Sequence, residues 1–530
     1  MKFFNRLILF CACFCLLFSS SRAQCDTTYV SGNFIQTSDQ FLSGTYIVSG
    51  NFQINAGVTI YVQPYSFGGC GSLEIIAQKI IINGTINGDY AGYERGNGGA
   101  GGLLVTSLTG DVTAIDNCSN KDNTGQVTVE GGKGGLAGNG PGAGNGGSNG
   151  TSGSGPKQQC GNNGDDAGMI GSGGGGGGGA GAGYGGAGAT GAAGGDGTNN
   201  YVASGINVSV AFVVVMGQGG PGGNPGATYG TQYGMDIAPG SGGGGAGGGG
   251  RSYSSGLVGN KGGAGGGMVK LVASDSLKIA SSAVISVNGQ NGMNGGNGGS
   301  GGVSPLCCSD GCDDCGEGTL SCGSGGGSGG GGGSGGGILV IANGPVSVLG
   351  TLRAQGGNGG TYGLKGTGST CTYAGNIFCS GNDVTSSDGS NGLNGGGGGG
   401  GRIKVFAVQD CGSANPVMNV AGGTGGTGAA AGGTADVICT TSIAESEEQP
   451  AIRVYPNPVS EALTVEYSTP IVTADINISI TDLSGRILFQ TKAASGNNSS
   501  QLNVAGLAPG IYFCTVEAGG ILVTEKFIRQ

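Results

Sequence analysis

The sequence predicts an all-β protein. A long glycine-rich body is built as a parallel β-helix or solenoid, and a small immunoglobulin-like β-sandwich follows it. Three observations carry this prediction. Glycine is zoned: of 132 Gly in 530 residues, nine fall in residues 1–90 and six in residues 451–530, leaving 117 in the 360 between. Inside that zone a five-residue apolar alternation ending in Ala recurs. After Pro450 the glycine gives way to seven short alternating runs within 80 residues.

The first 23 residues read as a secretory signal. Lys2 and Arg6 form a charged start, and the 12 apolar residues 7–18 are too few to span a bilayer. Ser21-Arg22-Ala23 places small residues before a cleavage between Ala23 and Gln24. Arg22 and Gln24 fit a lipoprotein signal at Cys25 poorly. Removal of the signal leaves 14 of the 17 Cys, and an even count in an exported chain predicts disulfides. The sequence-local pairs are Cys25–Cys70, Cys118–Cys160, Cys371–Cys379 and Cys411–Cys439. No later run is long enough for a membrane helix; the longest, 206–216, reads as a buried strand.

The body spans residues 24–440. Its repeat is carried by residues 73–77 (LEIIA), 269–273 (VKLVA), 338–342 (ILVIA) and 403–407 (IKVFA). A second apolar stretch follows most copies, with a Gly-Thr-apolar step at Gly84-Thr85-Ile86 and again at Gly350-Thr351-Leu352. Weaker copies begin near Leu103 and Ile206. Period-two strands separated by Gly-Asn turns cannot bury a face alone, but stacked coils can. The alternating stretch 44–62 fits the same scheme. A β-sandwich with the same loops is the alternative architecture. Only nine Pro lie in the glycine zone and no strict Gly-X-Y period runs through it, which excludes collagen.

The glycine runs leave two readings open. One is flexible loops, since ordering Gly costs roughly 0.5–1 kcal/mol more than ordering Ala. The other is a bundle of threefold polyglycine-II-type helices exchanging backbone hydrogen bonds. Residues 173–179, 329–333 and 395–401 resemble, in composition only, the glycine-rich ectodomain segment of anaplastic lymphoma kinase-type receptors.

Composition restricts function. There is no His, hence no usual general base and no commonest metal ligand, and no Trp. A formal charge of -10 makes nucleic acid or anionic lipid a poor partner. A β-helix raises polysaccharide cleavage, because polygalacturonase-type hydrolases carry Asp-Asp, Gly-His-Gly and Arg-Ile-Lys elements. The chain has Asp165-Asp166, Asp313-Asp314 and Arg402-Ile403-Lys404, but the His element is impossible and the others are far apart in sequence. Arg402-Ile403-Lys404 is better explained as the start of a repeat strand. The cluster Cys307, Cys308, Cys312, Cys315 and Cys322 reads as a disulfide knot, its odd thiol pairing elsewhere or remaining free, rather than a zinc site. No GxGxxG-like string has the strand and helix a dinucleotide site needs. No catalytic residue, metal or cofactor is assigned.

An acidic linker, 441–450, precedes the tail, 451–530. There the landmarks Val454-Tyr455-Pro456-Asn457-Pro458, Asp482-Leu483-Ser484-Gly485, Leu507-Ala508-Pro509-Gly510-Ile511-Tyr512 and Lys526-Phe527-Ile528-Arg529 occur in order. This tail resembles the C-terminal sorting domain of the type IX (Por) secretion system of Bacteroidetes. The resemblance implies a secreted or outer-membrane surface protein. Its partners would be the type IX translocon, a sortase-like enzyme that removes the tail, and surface lipopolysaccharide or glycans. The motif positions are Tyr455, Pro456, Asn457, Pro458, Gly485, Gly510, Tyr512 and Lys526. The cargo is expected to be a non-enzymatic structural or adhesin-like protein. The alternatives are a polysaccharide-binding or -cleaving β-helix and, because polyglycine-II bundles resemble snow-flea antifreeze, an ice-binding protein.

Overall fold

The computed structural model describes residues 25–65, 69–103, 126–156, 169–170, 172–203, 215–304, 319–371, 384–409, 414–426, 428–439, 452–467, 476–482, 486–493, 499–518 and 521–530. The expected signal with its Ala23–Gln24 junction and the expected linker 441–450 lie outside these residues. Every regular element among them is a strand. The chain divides into two compact units, Met1–Ser442 and Ile443–Gln530.

The first unit contains a parallel β-helix of two facing sheets. One sheet takes, in order, Thr27–Val30, Gly44–Ile54, Ser72–Ile82, Met268–Ile279, Gly337–Val348, Arg402–Gln409 and Thr434–Cys439, with Phe34–Gln36 also on Gly44–Ile54. The other takes Gln40–Leu42, Thr59–Val62, Thr85–Asn87, Val284–Ser286, Thr351–Arg353 and Val417–Asn419. Chain order and spatial order coincide, so each coil adds one strand to each sheet. The four pentads stack residue on residue: Leu73, Val269, Ile338 and Ile403 form one row, Ile75, Leu271, Val340 and Val405 the next, and Ala77, Ala273, Ala342 and Ala407 the third. Ile60, Ile86, Ile285 and Leu352 form the facing row of the second sheet. All of these side chains are buried, and together they make one continuous core. Burying each Leu or Ile is worth about 1.5–3 kcal/mol, and a one-residue slip would turn the row out of the core. The sequence repeat is therefore the register.

The Gly-Thr step is the corner between the sheets. A Cβ on Gly84 would press on the carbonyls of Val58 and Asn55 in the coil before it, and one on Gly350 on those of Ala283 and Ala280. Both weaker repeat copies fall almost wholly outside the described residues, and the described sheet passes directly from Ser72–Ile82 to Met268–Ile279. Leu103 is exposed and the residues after it lie outside those described. Of the expected buried strand 206–216, residues 206–214 lie outside, and Val215 and Met216 are each about two-fifths exposed (42% and 41%).

The glycine zone is an ordered bundle, and its hydrogen bonds have a period of three. Gly173 and Gly176 donate to Arg251 and Gly248. Gly174, Gly177 and Ala180 donate to Thr151, Ser148 and Asn145, and Gly175, Gly178 and Gly181 to Gly195, Ala192 and Ala189, all at 2.8–3.1 Å. Each tract thus addresses three neighbours in rotation, as a chain of three residues per turn must. Partner numbers fall by three where tracts run antiparallel. They rise by three where tracts run parallel, as from Gly323, Gly326 and Gly329 to Ser387, Ser390 and Leu393. The rare inward hydroxyls are satisfied by carbonyls: Ser324 Oγ donates to Gly250 at 2.6 Å and Ser328 Oγ to Leu393 at 2.6 Å. The loop reading of these runs gives way to the packed one.

At the bundle surface, side chains replace missing neighbours. Asn288, Asn291 and Asn297 accept through Oδ1 from the amides of Gln355, Asn358 and Leu364 at 2.8, 2.8 and 2.9 Å. Asn recurs at every third position there because only every third residue faces outward.

The second unit is the expected sandwich. Ile452–Tyr455, Ala462–Tyr467 and Ser499–Asn503 form one antiparallel sheet, and Ile487–Ala493, Ile476–Thr481, Gly510–Ala518 and Ile521–Arg529 the other. Leu463, Val465, Ile478, Ile480, Val516 and Phe527 are among its fully buried core.

Cys25 and Cys70 form the expected disulfide, with Cα atoms 5.5 Å apart. Cys439 is also disulfide-bonded. Its expected partner Cys411, the pair Cys118–Cys160, and Cys379 lie outside the described residues.

A methyl on Gly331 would fall far inside 3.0 Å of the Ala180 carbonyl, whereas one on Gly432 meets nothing nearer than 3.5 Å. Gly331→Ala is expected to lower stability by about 1–3 kcal/mol or more, and Gly432→Ala by less than about 0.5 kcal/mol. Thermal denaturation of the two variants checks this, and equal effects would refute close backbone packing.

Candidate functional site

Three of the four tail landmarks converge on the last strand. Ile452–Tyr455 ends at Pro456, and the Tyr455–Pro456 and Asn457–Pro458 peptide bonds are both cis. Tyr455, Pro456, Asn457 and Pro458 are exposed, while Val459 is buried. Asn457 ties this turn to the far end of the chain. Its Nδ2 donates to the Lys526 carbonyl at 3.0 Å, and its Oδ1 accepts from the Ile528 amide at 3.0 Å. The Val459 amide donates to the Ile528 carbonyl at 2.8 Å, and the Gln530 amide to the Val459 carbonyl at 2.9 Å. Two prolines remove two backbone donors from the turn, so the side-chain amide between them makes the connection.

Gly510 opens the strand Gly510–Ala518. Tyr512 is buried, donates its hydroxyl to the Ala508 carbonyl at 2.8 Å, and stacks on Phe527 with centroids 5.7 Å apart. A Tyr bonded to the backbone a few residues upstream is the tyrosine corner of immunoglobulin-like sandwiches. Lys526 points its side chain to solvent while its carbonyl serves Asn457. Gly485 lies outside the described residues. Cys514 is a free, fully buried thiol that desolvation pushes up to about 12, so it stays an inert core residue.

The other motifs assemble no reaction centre among the described residues. Asp165-Asp166 and Asp313-Asp314 lie outside them, as do Cys307, Cys308, Cys312 and Cys315. Cys322 is a free buried thiol whose Sγ donates to the Asn200 carbonyl at 3.7 Å, so it takes no part in a disulfide. Arg402-Ile403-Lys404 is a repeat strand: Ile403 enters the core, and its neighbours point to the opposite face of the sheet. There the segment 229–238 covers them. Lys404 is fully buried, and its Nζ donates to the Gly234 and Asp236 carbonyls, both at 2.7 Å, and to Asp236 Oδ1 at 3.1 Å. Arg402 bonds the Tyr229 and Gly230 carbonyls at 3.0–3.2 Å, and its guanidinium lies 5.6 Å from the Tyr184 ring centroid. Burial lowers the Lys404 pKa, opposed by Asp236. Burial would raise Asp236, but hydrogen bonds from Thr231 and Lys404 outweigh it and hold the carboxyl below its usual value. These cations are clamps on a loop. The spacing of the motif gave no sign of this, because the partners stand about 170 residues away.

Residues 453–530 match the secretion system C-terminal sorting domain family. No curated protein matches the chain. The tail makes the chain a type IX secretion substrate, engages that machinery, and directs it to the cell surface or extracellular space. No helix among the described residues is long and apolar enough to cross a membrane.

Asn457→Ala should cost the tail about 1–2 kcal/mol and speed hydrogen exchange of the Ile528 amide; unchanged exchange would remove Asn457 from its pinning role. Lys404→Met removes three hydrogen bonds that hold the covering loop and should cost about 1–3 kcal/mol, read as a lower denaturant midpoint. Because the Asp236 pKa is depressed on folding, its stabilisation is present above its unfolded value and is lost as pH falls through the folded one. The melting temperatures of the native protein and Asp236→Asn should therefore converge below about pH 4.

Proposed function

We propose that the exported body is a non-enzymatic structural or adhesin-like protein of the cell surface, with surface lipopolysaccharide or glycans as its partners. A sortase-like enzyme that removes the tail completes this reading. The observation that carries it is the glycine bundle. Its tracts bond to one another through the backbone and its interior admits few side chains beyond Ala and Ser, so it is a stiff spacer presenting surfaces rather than an enclosed reaction chamber. The chain also lacks His, and its one hydrolase-like triplet is buried as a clamp. A polysaccharide ligand is compatible with the same body. Ice binding is disfavoured, because outward positions of the bundle carry Met293, Tyr362, Leu364 and Lys365 rather than a flat field of small residues.

The test is surface proteolysis and cell fractionation with residues 451–530 present or deleted. Surface or extracellular protein is expected to fall to background on deletion, with the chain retained in the periplasm; unchanged delivery would sink the export reading. Beads coated with the mature protein should then adhere to glycan-bearing surfaces, and non-adherence would leave only a structural role.

A further inference from the structure

We propose that a cleft in the glycine bundle, lined by Asp89, Tyr90, Glu94, Arg95, Lys261 and Gln290, is a binding site for neutral oligosaccharides. The proposal rests on the adhesin reading and gives it a place. The cleft has a volume of about 570 Å³, inside the roughly 300–1,000 Å³ range of small-ligand sites.

Four glycine-rich segments form its walls. Leu136 donates its amide to the Asn97 carbonyl at 2.8 Å, Asn139 to Glu94 at 2.9 Å, Gly262 to Gly96 at 2.9 Å and Gln290 to Ala264 at 2.8 Å. The threefold backbone turns one residue in three outward. Most inward positions cannot hold a side chain at all, so side-chain chemistry is confined to these outward rows. Here the rows carry Glu94 and Asn97, Leu136 and Asn139, and Lys261 and Ala264.

Tyr90 is the feature that packing does not explain. It is the one non-glycine residue with positive φ among those described, at 62°. It occupies the third position of a turn closed by the Ala91 amide on the Gly88 carbonyl at 3.3 Å. That position favours Gly or Asn, and a bulky residue there is strained. In a chain one quarter glycine, a strained Tyr holds the place that glycine fills freely. The ring is about half exposed (48%), at the cleft. The turn is held from below: the Asp89 carboxylate accepts from the Asn288 amide at 2.7 Å and from Ser286 Oγ, and the Tyr90 amide donates to the Asn288 carbonyl at 2.9 Å. Backbone strain that the surroundings enforce marks a functional position.

The polar groups are set in the same way. Arg95 Nη1 donates to Gln290 Oε1 at 2.6 Å, and the Ala264 amide donates to the same oxygen at 3.3 Å. This fixes a planar guanidinium and a planar amide side by side, with further N–H donors free to take ligand oxygens. Asp89 and Glu94 balance Arg95 and Lys261, so the cleft offers donors and acceptors without a net field. An aromatic face beside paired donors and acceptors in a charge-balanced cleft suits a polyhydroxylated neutral ring. A phosphorylated or polyanionic ligand would need an excess of cations.

The test titrates the full mature protein with the hexasaccharides of cellulose, starch, laminarin and chitin. A galacturonan hexamer and inorganic polyphosphate serve as charged probes. At least one neutral hexasaccharide should bind, and Tyr90→Gly should weaken it at least tenfold while leaving the melting temperature unchanged or higher, because strain is relieved. Arg95→Ala should weaken it similarly, and Leu257→Ala, outside the cleft, should not. No neutral binding, binding only of the charged probes, or affinity indifferent to both cleft variants would overturn the site. If coated beads still adhere when Tyr90→Gly is introduced, the cleft proposal fails and the adhesin reading survives; if beads of the native protein do not adhere, the adhesin reading itself fails.

Discussion

A glycine tract has only its backbone with which to hold anything, and every amide in it must find a carbonyl on another tract. The rest of the molecule follows from that constraint. Ordering Gly costs roughly 0.5–1 kcal/mol more than ordering Ala, about the net worth of one satisfied hydrogen bond. The bundle therefore persists only if nearly all its bonds form at once. The β-helix supplies the condition for this, because each coil delivers the ends of its glycine insert in fixed register with the next. Asn288, Asn291 and Asn297 close the arrangement at the surface, where no further tract is available to accept or donate.

The same constraint separates structure from recognition. At most positions inside the bundle a single methyl collides with a carbonyl, so side chains there are confined to a few Ala and Ser. Outside, one residue in three is free. Surface properties of this protein are thus written at period three along the tracts, while core properties are written at period two along the solenoid strands. The cleft beside Tyr90 is where the outward rows turn from spacers into a set of fixed donors, acceptors and an aromatic ring.

The tail obeys different rules. Its sandwich has an ordinary apolar core and needs no partner tract. The turn between its two prolines is fastened to the last strand by one amide side chain, so the first and last landmarks form one structural group although they lie at opposite ends of the tail.

Much of this was legible in the residues. The pentads ending in Ala77, Ala273, Ala342 and Ala407 gave the register of the sheet, because identical positions of a repeat must stack to bury one face. The landmarks from Tyr455 to Lys526 gave the tail, because turn residues and alternation are local signals. The Cys25–Cys70 pair followed from proximity in sequence. Composition could not decide whether glycine runs pack or wander. That depends on which tracts lie beside which, and side-chain-free residues carry no pairing code. Nor could spacing reveal that Lys404 clamps Asp236, that Cys322 stands alone, or that Tyr90 is forced into a left-handed turn. Each is set by neighbours more than 100 residues away, brought together only when the coils close.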